Sequence, residues 1–184
     1  MIFFTADTHF LHKNICEYSN RPFDSIEEMT ETIVNRWNAV VAPGDTVFHL
    51  GDFAISYGKK HEKPIDDLLS RLNGNKWLIY GNHDREEVKK NSRWVKVLGY
   101  HELKVDLGGD HKTKIVLSHY AMRTWNQSHR GSFMLHGHSH GNLEDIGGRT
   151  MDVGVDCHNF WPISIDQVNE FMKDRHHEPV DHHA

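Results

Sequence analysis

Cysteine is scarce in this sequence. There are two in 184 residues, Cys16 and Cys157. Two thiols cannot form the disulfide framework of a small secreted domain, and they cannot build a cysteine-rich structural zinc site. Both are expected as free thiols. Long apolar runs are also lacking, so no stretch is expected to cross a bilayer as a helix. The opening residues Met1-Ile2-Phe3-Phe4-Thr5-Ala6 carry no basic lead and read as a strand, an expectation that favours a cytoplasmic location. An excess of positive charge is missing as well. The net charge is −5, and the basic residues are scattered, with Lys89-Lys90 and Arg93 with Lys96 as the nearest approach to a cluster. Proteins that track long nucleic acid carry a basic stripe to neutralise phosphates, so that class of partner is disfavoured. Internal repeats and domain-dividing linkers are absent. Residues 1–175 are therefore expected to form one domain, and 176–184 a polar, disordered histidine-rich tail. The sequence leaves the oligomeric state open.

What the chain does have is histidine, seventeen in all, and an alternation of apolar elements. Ile2 to Ala6 reads as a buried strand. Ser25-Ile26-Glu27-Glu28 is a capping-box pattern, and Ile26, Met29, Ile33, Trp37 and Val40 follow at helical spacing up to Pro43. Thr46 to Leu50 is a second strand. Pro64 is expected to open a helix that buries Ile65, Leu68, Leu69 and Leu72 and stops at Gly74. Lys76 to Tyr80 is a third strand. This strand–helix–strand–helix–strand order predicts a parallel sheet with covering helices. The second half reads differently. Leu103 to Leu107 and Lys114 to Leu117 flank Gly108-Gly109-Asp110 and predict a hairpin. Phe133 to His136 and Met151 to Val155 are short strands, and Ser164 with Gln167 caps a last helix. Two packed sheets with helices outside, an α/β sandwich, would use all these pieces.

Five short motifs occur in one order: Asp7-x-His9, Gly51-Asp52, Gly81-Asn82-His83-Asp84, Ser118-His119 and Gly137-His138-Ser139-His140. Each stands where a predicted strand gives out, where the core anchors the strand and the next residues can turn toward the sheet edge. Asp7 and His9 are two apart, so on an extended segment they point the same way and can chelate one ion. His138 and His140 have the same spacing. Asp52 is the best candidate for a carboxylate shared by two ions. The glycines at 51, 81 and 137 are expected to permit tight turns. Imidazole and carboxylate donors together suit Mn, Fe, Zn, Co or Ni better than Ca. His49, His101, His111, His129, His136 and His158 are expected to be ordinary hydrogen-bonded histidines.

On these five motifs, from Asp7 to His140, the chain resembles the calcineurin-like metallophosphoesterase superfamily. The segment Thr5 to Ile15, and Val153-Gly154-Val155-Asp156 with Pro162-Ile163-Ser164, resemble its small bacterial and phage branch. The resemblance implies a four-layer α-β-β-α sandwich of two mixed sheets flanked by helices. It implies two divalent ions, with Mn the first choice and Fe, Zn, Ni, Co or Mg as others. By this resemblance Asp7, His9 and His140 bind one ion, Asn82, His119 and His138 the other, and Asp52 bridges them. His83 is then the proton donor. Asp84 is expected to orient its ring, with an N-cap for a helix over Arg85 to Lys90 as the alternative. The implied reaction is hydrolysis of a phosphodiester, nucleotide-like among the options, by in-line attack of a hydroxide held between the metals.

Two alternatives stand beside this reading. One is a phosphomonoesterase of the same family. The other is a catalytically silent metal-binding module that uses the scaffold for interaction. No ligand is lost, which favours an enzyme. Substrate contacts are expected from His12, a short step past His9, and from Arg123 and Trp125, where a guanidinium can fork onto phosphate and an indole can stack on a base. A small phosphoester is the expected partner.

Overall fold

The computed structural model describes residues 1–109, 111–145, 147–176 and 178. The elements run β1 (Ile2–Thr5), α1 (Ile15–Tyr18), α2 (Ile26–Val40), β2 (Thr46–His49), α3 (Glu62–Arg71), β3 (Asn75–Ile79), α4 (Glu86–Lys89), β4 (Lys96–Leu98), β5 (Tyr100–Val105), β6 (Thr113–Ser118), β7 (Phe133–His136), β8 (Thr150–Asp152), β9 (Ile163–Ser164) and α5 (Ile165–Met172). One sheet has the order β4-β3-β2-β1-β9 and the other β5-β6-β7-β8. In the first, β1 to β4 are parallel and β9 is antiparallel to β1. In the second, β5 is antiparallel to β6, while β6, β7 and β8 are parallel. The chain forms the expected sandwich of two mixed sheets with flanking helices.

Strand alternation explains the two cores. Phe3, Val47 and Leu78 point to one face of the first sheet and meet Met29, Ile33 and Trp37 of α2 and Ile65 and Leu69 of α3. Their neighbours Phe4, Phe48 and Ile79 point to the other face. They meet Ile115, Leu117, Phe133 and Leu135 of the second sheet, together with Ile165, Val168 and Met172 of α5. A strand buried on both faces needs a continuous apolar run, and Ile2-Phe3-Phe4 is one. Trp37 is fully buried, and its Nε1 donates to Asn73 O at 3.0 Å. Truncation there would cost about 3–5 kcal/mol.

The caps form as expected. Ser25 Oγ accepts from Glu28 N, and Ser164 and Gln167 form a complete capping box. Several boundaries differ. The helix expected to open at Pro64 begins at Glu62, placing Pro64 in the first turn, where no intrahelical N–H partner is needed. The expected strand to Val155 stops at Asp152. The chain then leaves the second sheet to pair Gly154 with Ala6 at the end of β1, and turns as a 3-10 helix over Val155–Cys157. Two short strands, β4 and β9, were not anticipated. The hairpin pair β5–β6 is present, but Asp110 of its turn lies outside the described residues. Most of the histidine-rich tail does too, with only His176 and Glu178 of residues 176–184 described. Both cysteines are free thiols.

Candidate metal centre

The parallel strands β1, β2 and β3 of one sheet and β6 and β7 of the other carry all five motifs just beyond their last residues. The loops are stitched together by their backbones. Asp7 N donates to Gly51 O, His9 N to Asp52 O, and Gly137 N to His119 O, at 2.9–3.0 Å. Asp7 and His9 are not on an extended segment, as their spacing suggested. Asp7, His9, Asp52, His138 and His140 all adopt left-handed backbone, with φ between 49 and 70°. Side chains other than glycine rarely sit there, and such strain collects at functional sites. The turns themselves, rather than strand alternation, make the ligands converge. Gly81 and Gly137 also have another reason than the expected one. A Cβ on Gly81 would lie 2.3 Å from Asp52 Oδ1, and a Cβ on Gly137 would lie 2.6 Å from Asp7 Oδ2. They are glycine because the carboxylates approach so closely.

Two groups of candidate ligand atoms result. In each of Asp7–His9–His140 and Asp52–His119–His138, the donor atoms lie within 4.8 Å of one another. Asp7 Oδ2 accepts from His138 N at 2.9 Å, while Asp7 Oδ1 is buried without a partner. Both ring nitrogens of His9 are likewise buried and unpartnered. Orphaned donors and acceptors of this kind are rare in a protein interior unless an ion or water meets them. His140 Nδ1 donates to Asp156 Oδ2 at 2.7 Å, which leaves Nε2 as the free lone pair.

In the second group, His119 Nδ1 donates to the carbonyl of Leu50 at 2.8 Å, so its Nε2 also carries a lone pair. That nitrogen faces Asn82 Oδ1 at 3.0 Å. Two acceptors turned on each other are what a cation between them would satisfy. Asp52 Oδ1 accepts from His83 N at 2.9 Å. Asp52 Oδ2 lies 3.5 Å from His9 Nε2 and 3.6 Å from His119 Nε2, between the groups.

Electrostatics point the same way. Burial, with the charges of Asp52 and Asp152 added, holds the Asp7 carboxyl well above its ordinary range. Burial and then the neighbouring His140 and Arg21 hold His9 far below the ordinary imidazole value, and burial lowers His119. Neutral imidazoles are the form that ligates metal. A carboxylate forced toward protonation by its own buried neighbours is relieved by a divalent ion. The residues present therefore fit two such ions.

Asp84 does not orient the His83 ring. Its carboxylate is buried and accepts three backbone N–H groups, from Phe53 on Oδ1 and from Asp52 and Gly81 on Oδ2, at 2.8–2.9 Å. It cannot cap α4 either, because its oxygens are occupied, and Arg85 stands at that cap position. Burial pushes it up to about 7 against the pull of those donors. Asp84 holds the β2 and β3 loops together.

His83 is exposed, with its ring 5.6 Å from that of His9. His12 is half-buried beside the first group, its ring 5.5 Å from His9, and burial followed by the nearby His83 lowers its pKa. Arg123 and Trp125 line a cavity of about 980 Å³ shared with His136, Asp152 and Phe171, and none of the seven proposed ligands lines it. Trp125 Nε1 donates to Ser132 O at 3.2 Å. Three residues at the centre escaped sequence reasoning. Tyr120 is 51% exposed with its ring 4.6 Å from His138. Arg21 and Asp156 stand behind the first group. Tyr120 adjoins His119 in sequence and could have been flagged for that. Nothing local marks Arg21, whose partner is 135 residues away.

Comparison with known proteins agrees with this geometry. The chain is 34% identical over 178 residues to an uncharacterised protein of Methanocaldococcus jannaschii, covering 94% of this chain and 91% of that one. It is 28% identical over 202 residues to the gene 66 protein of Mycobacterium phage L5, covering 95% of each. The crystal structure of a protein of unknown function from Aquifex aeolicus superposes with a TM-score of 0.71 at 25% identity, covering 93% of this chain and 98% of that one. The sequence model of the calcineurin-like phosphoesterases matches residues 1–183, and the chain belongs to that family.

Proposed function

We propose that this protein is a two-metal phosphodiesterase acting on small, nucleotide-like diesters, with Asp7, His9 and His140 at one ion, Asn82, His119 and His138 at the other, and Asp52 touching both. Mn²⁺ is the first choice among Mn, Fe, Zn, Ni, Co and Mg. The observation that carries this reading is the convergence of unpartnered Asp7 Oδ1 and His9 Nε2 with Asp52 Oδ2, which faces the histidines of both groups. When bound, a pair of divalent ions lowers the pKa of water toward about 7 and neutralises the phosphoryl oxygens.

The chain's own residues supply the rest. Asp52 keeps one oxygen on His83 N and so fixes the backbone of the proton donor relative to the metals. His83 then gives its proton to the departing alkoxide. His12 is near enough to His9 to contact a phosphoryl oxygen. No helix among the described residues is long and apolar enough to cross a membrane. The diester preference follows from the rim. Asn82, His83, His138 and Tyr120 are exposed, which leaves room for a second ester arm. A monoester dianion needs extra fixed cations, and Arg123 lines a cavity that none of the seven proposed ligands lines. Kinetics on bis-p-nitrophenyl and p-nitrophenyl phosphate with Mn²⁺ test this. A higher kcat/KM on the diester is expected. A preference for the monoester overturns the substrate assignment, and no turnover with any of the six metals favours a silent binding module.

A further inference from the structure

We propose that Arg21 and Asp156 are positioning residues that make the Asp7–His9–His140 cluster the tighter of the two metal sites, an inference that rests on the two-metal reading above. The Arg21 side chain is fully buried. All five of its N–H groups have partners. Nε donates to Asp156 Oδ1 at 2.8 Å and Nη2 to Asp156 Oδ2 at 2.8 Å, a forked pair. Nη2 also donates to Asp7 O at 2.7 Å, and Nη1 to Thr8 O at 3.1 Å and to Met29 Sδ at 3.2 Å. The Phe160 ring lies 5.7 Å from the guanidinium carbon. Complete pairing is what allows a guanidinium to stay charged without water.

Each polar partner leads to a ligand of the first cluster. The carbonyls of Asp7 and Thr8 are the backbone of the strained turn that aims Asp7 and His9. Asp156 Oδ2 accepts the Nδ1 proton of His140 and so directs Nε2 to the ion. A carboxylate behind an imidazole fixes its tautomer and raises its strength as a ligand. One side chain thus reaches all three ligands. The second cluster has a weaker arrangement. A neutral carbonyl, Leu50 O, backs His119, and His138 and Asn82 are exposed.

The test is Mn²⁺ titration of the full-length protein by calorimetry, with electron paramagnetic resonance to separate single from paired ions. Wild type should show a tight and a weak class of site. Asp156→Asn and Arg21→Lys should weaken the tight class about 10–100-fold and leave the weak class unchanged. Arg21→Lys keeps the charge but cannot form the fork. Circular dichroism checks that each variant is folded. Should the clamp variants fail to fold, His140→Ala and His138→Ala carry the test: the first should abolish the tight class and the second the weak class. A folded clamp variant with wild-type tight binding would mean that the Arg21–Asp156 pair only ties the chain together, and would overturn the proposal. So would loss of the tight class from His138→Ala. Wild type binding fewer than two ions would instead refute the two-metal reading itself.

Discussion

Behind the Asp7–His9–His140 cluster stands a buried cation, and behind the Asp52–His119–His138 cluster a buried anion. Arg21 gathers backbone carbonyls of the β1 loop, and Asp84 gathers backbone N–H groups of the β2 and β3 loops. The two frames solve one physical problem. A ligand loop in left-handed backbone cannot continue a strand ladder, so its peptide groups need other partners. A buried charge surrounded by peptide dipoles meets that need and is itself solvated by them. The clusters differ in access. Asp7 and His9 are buried and His140 half-buried, whereas Asn82, His83 and His138 face solvent. On the proposed assignment, the inner ion is retained and the outer one meets substrate.

The largest effect should come from Asp52, which lies between the two groups. Asp52→Asn keeps an acceptor for His83 N but removes the charge between the groups. Turnover should fall by about 10⁴-fold, the several kcal/mol a bound ion supplies. The check is kcat on bis-p-nitrophenyl phosphate beside metal content by elemental analysis. Wild-type turnover from a metal-depleted Asp52→Asn protein would break the comparison at its centre.

His83→Ala separates chemistry from metal binding. Two bound ions should remain. Rates on an alkyl or ribose diester should fall about 10²–10⁴-fold, and rates on an aryl diester, whose leaving group hardly needs a proton, should fall much less. Equal losses on both esters would remove His83 from the proton-donor role.

Asp84→Asn probes the anionic frame. The amide presents N–H to backbone donors and leaves at least one of them unsatisfied, which should cost about 1–3 kcal/mol. Urea unfolding of the metal-free protein measures it. An unchanged midpoint would mean that the three N–H bonds do not hold the loops.

The last effect is read against pH and concerns His49, which lies beside Thr8 and Phe53. Thr8 Oγ1 donates to Phe53 O, so His49 Nε2 donates to Thr8 Oγ1 at 3.0 Å. Burial, with His119 nearby, pushes its pKa down to about 3. The folded state therefore refuses a proton that the unfolded state accepts below about 6.5. This contribution is fully present above that pH and is lost as pH falls toward 3. The slope is at most about 1.4 kcal/mol per pH unit. Unfolding of metal-free wild type and His49→Gln across this window should show the wild type losing stability faster. Parallel curves would mean that His49 is protonated in the fold.

How much of this was legible in the sequence depends on the distance over which each feature is decided. The three parallel strands, the capped helices at Ser25 and Ser164 and the ligand motifs are local patterns of apolar spacing and turn chemistry. They were read to within a few residues. The short strands β4 and β9 were not, because two or three residues carry no period and pair only when a neighbouring strand is already in place. The candidate ligands could be named from the motifs and the family resemblance they carry, but the reason for their convergence could not, since left-handed backbone at Asp7 and His138 leaves no periodic mark in the sequence. Asp84 was misread for a related reason. Its neighbour His83 is adjacent in sequence, yet its hydrogen bonds go to Asp52 and Phe53 on another strand. Asp156 lies in a stretch that carries the family resemblance, but its role emerges only where the fold brings Arg21 and His140 to it.

The central claim is that two ions occupy two clusters joined at Asp52. Anomalous diffraction from crystals of the Mn²⁺-reconstituted protein tests it most directly. Two peaks are predicted, one among Asp7, His9 and His140 and one among Asn82, His119 and His138, with Asp52 reaching both. A single peak, or peaks held by histidines of the 176–184 tail in place of these ligands, would contradict it.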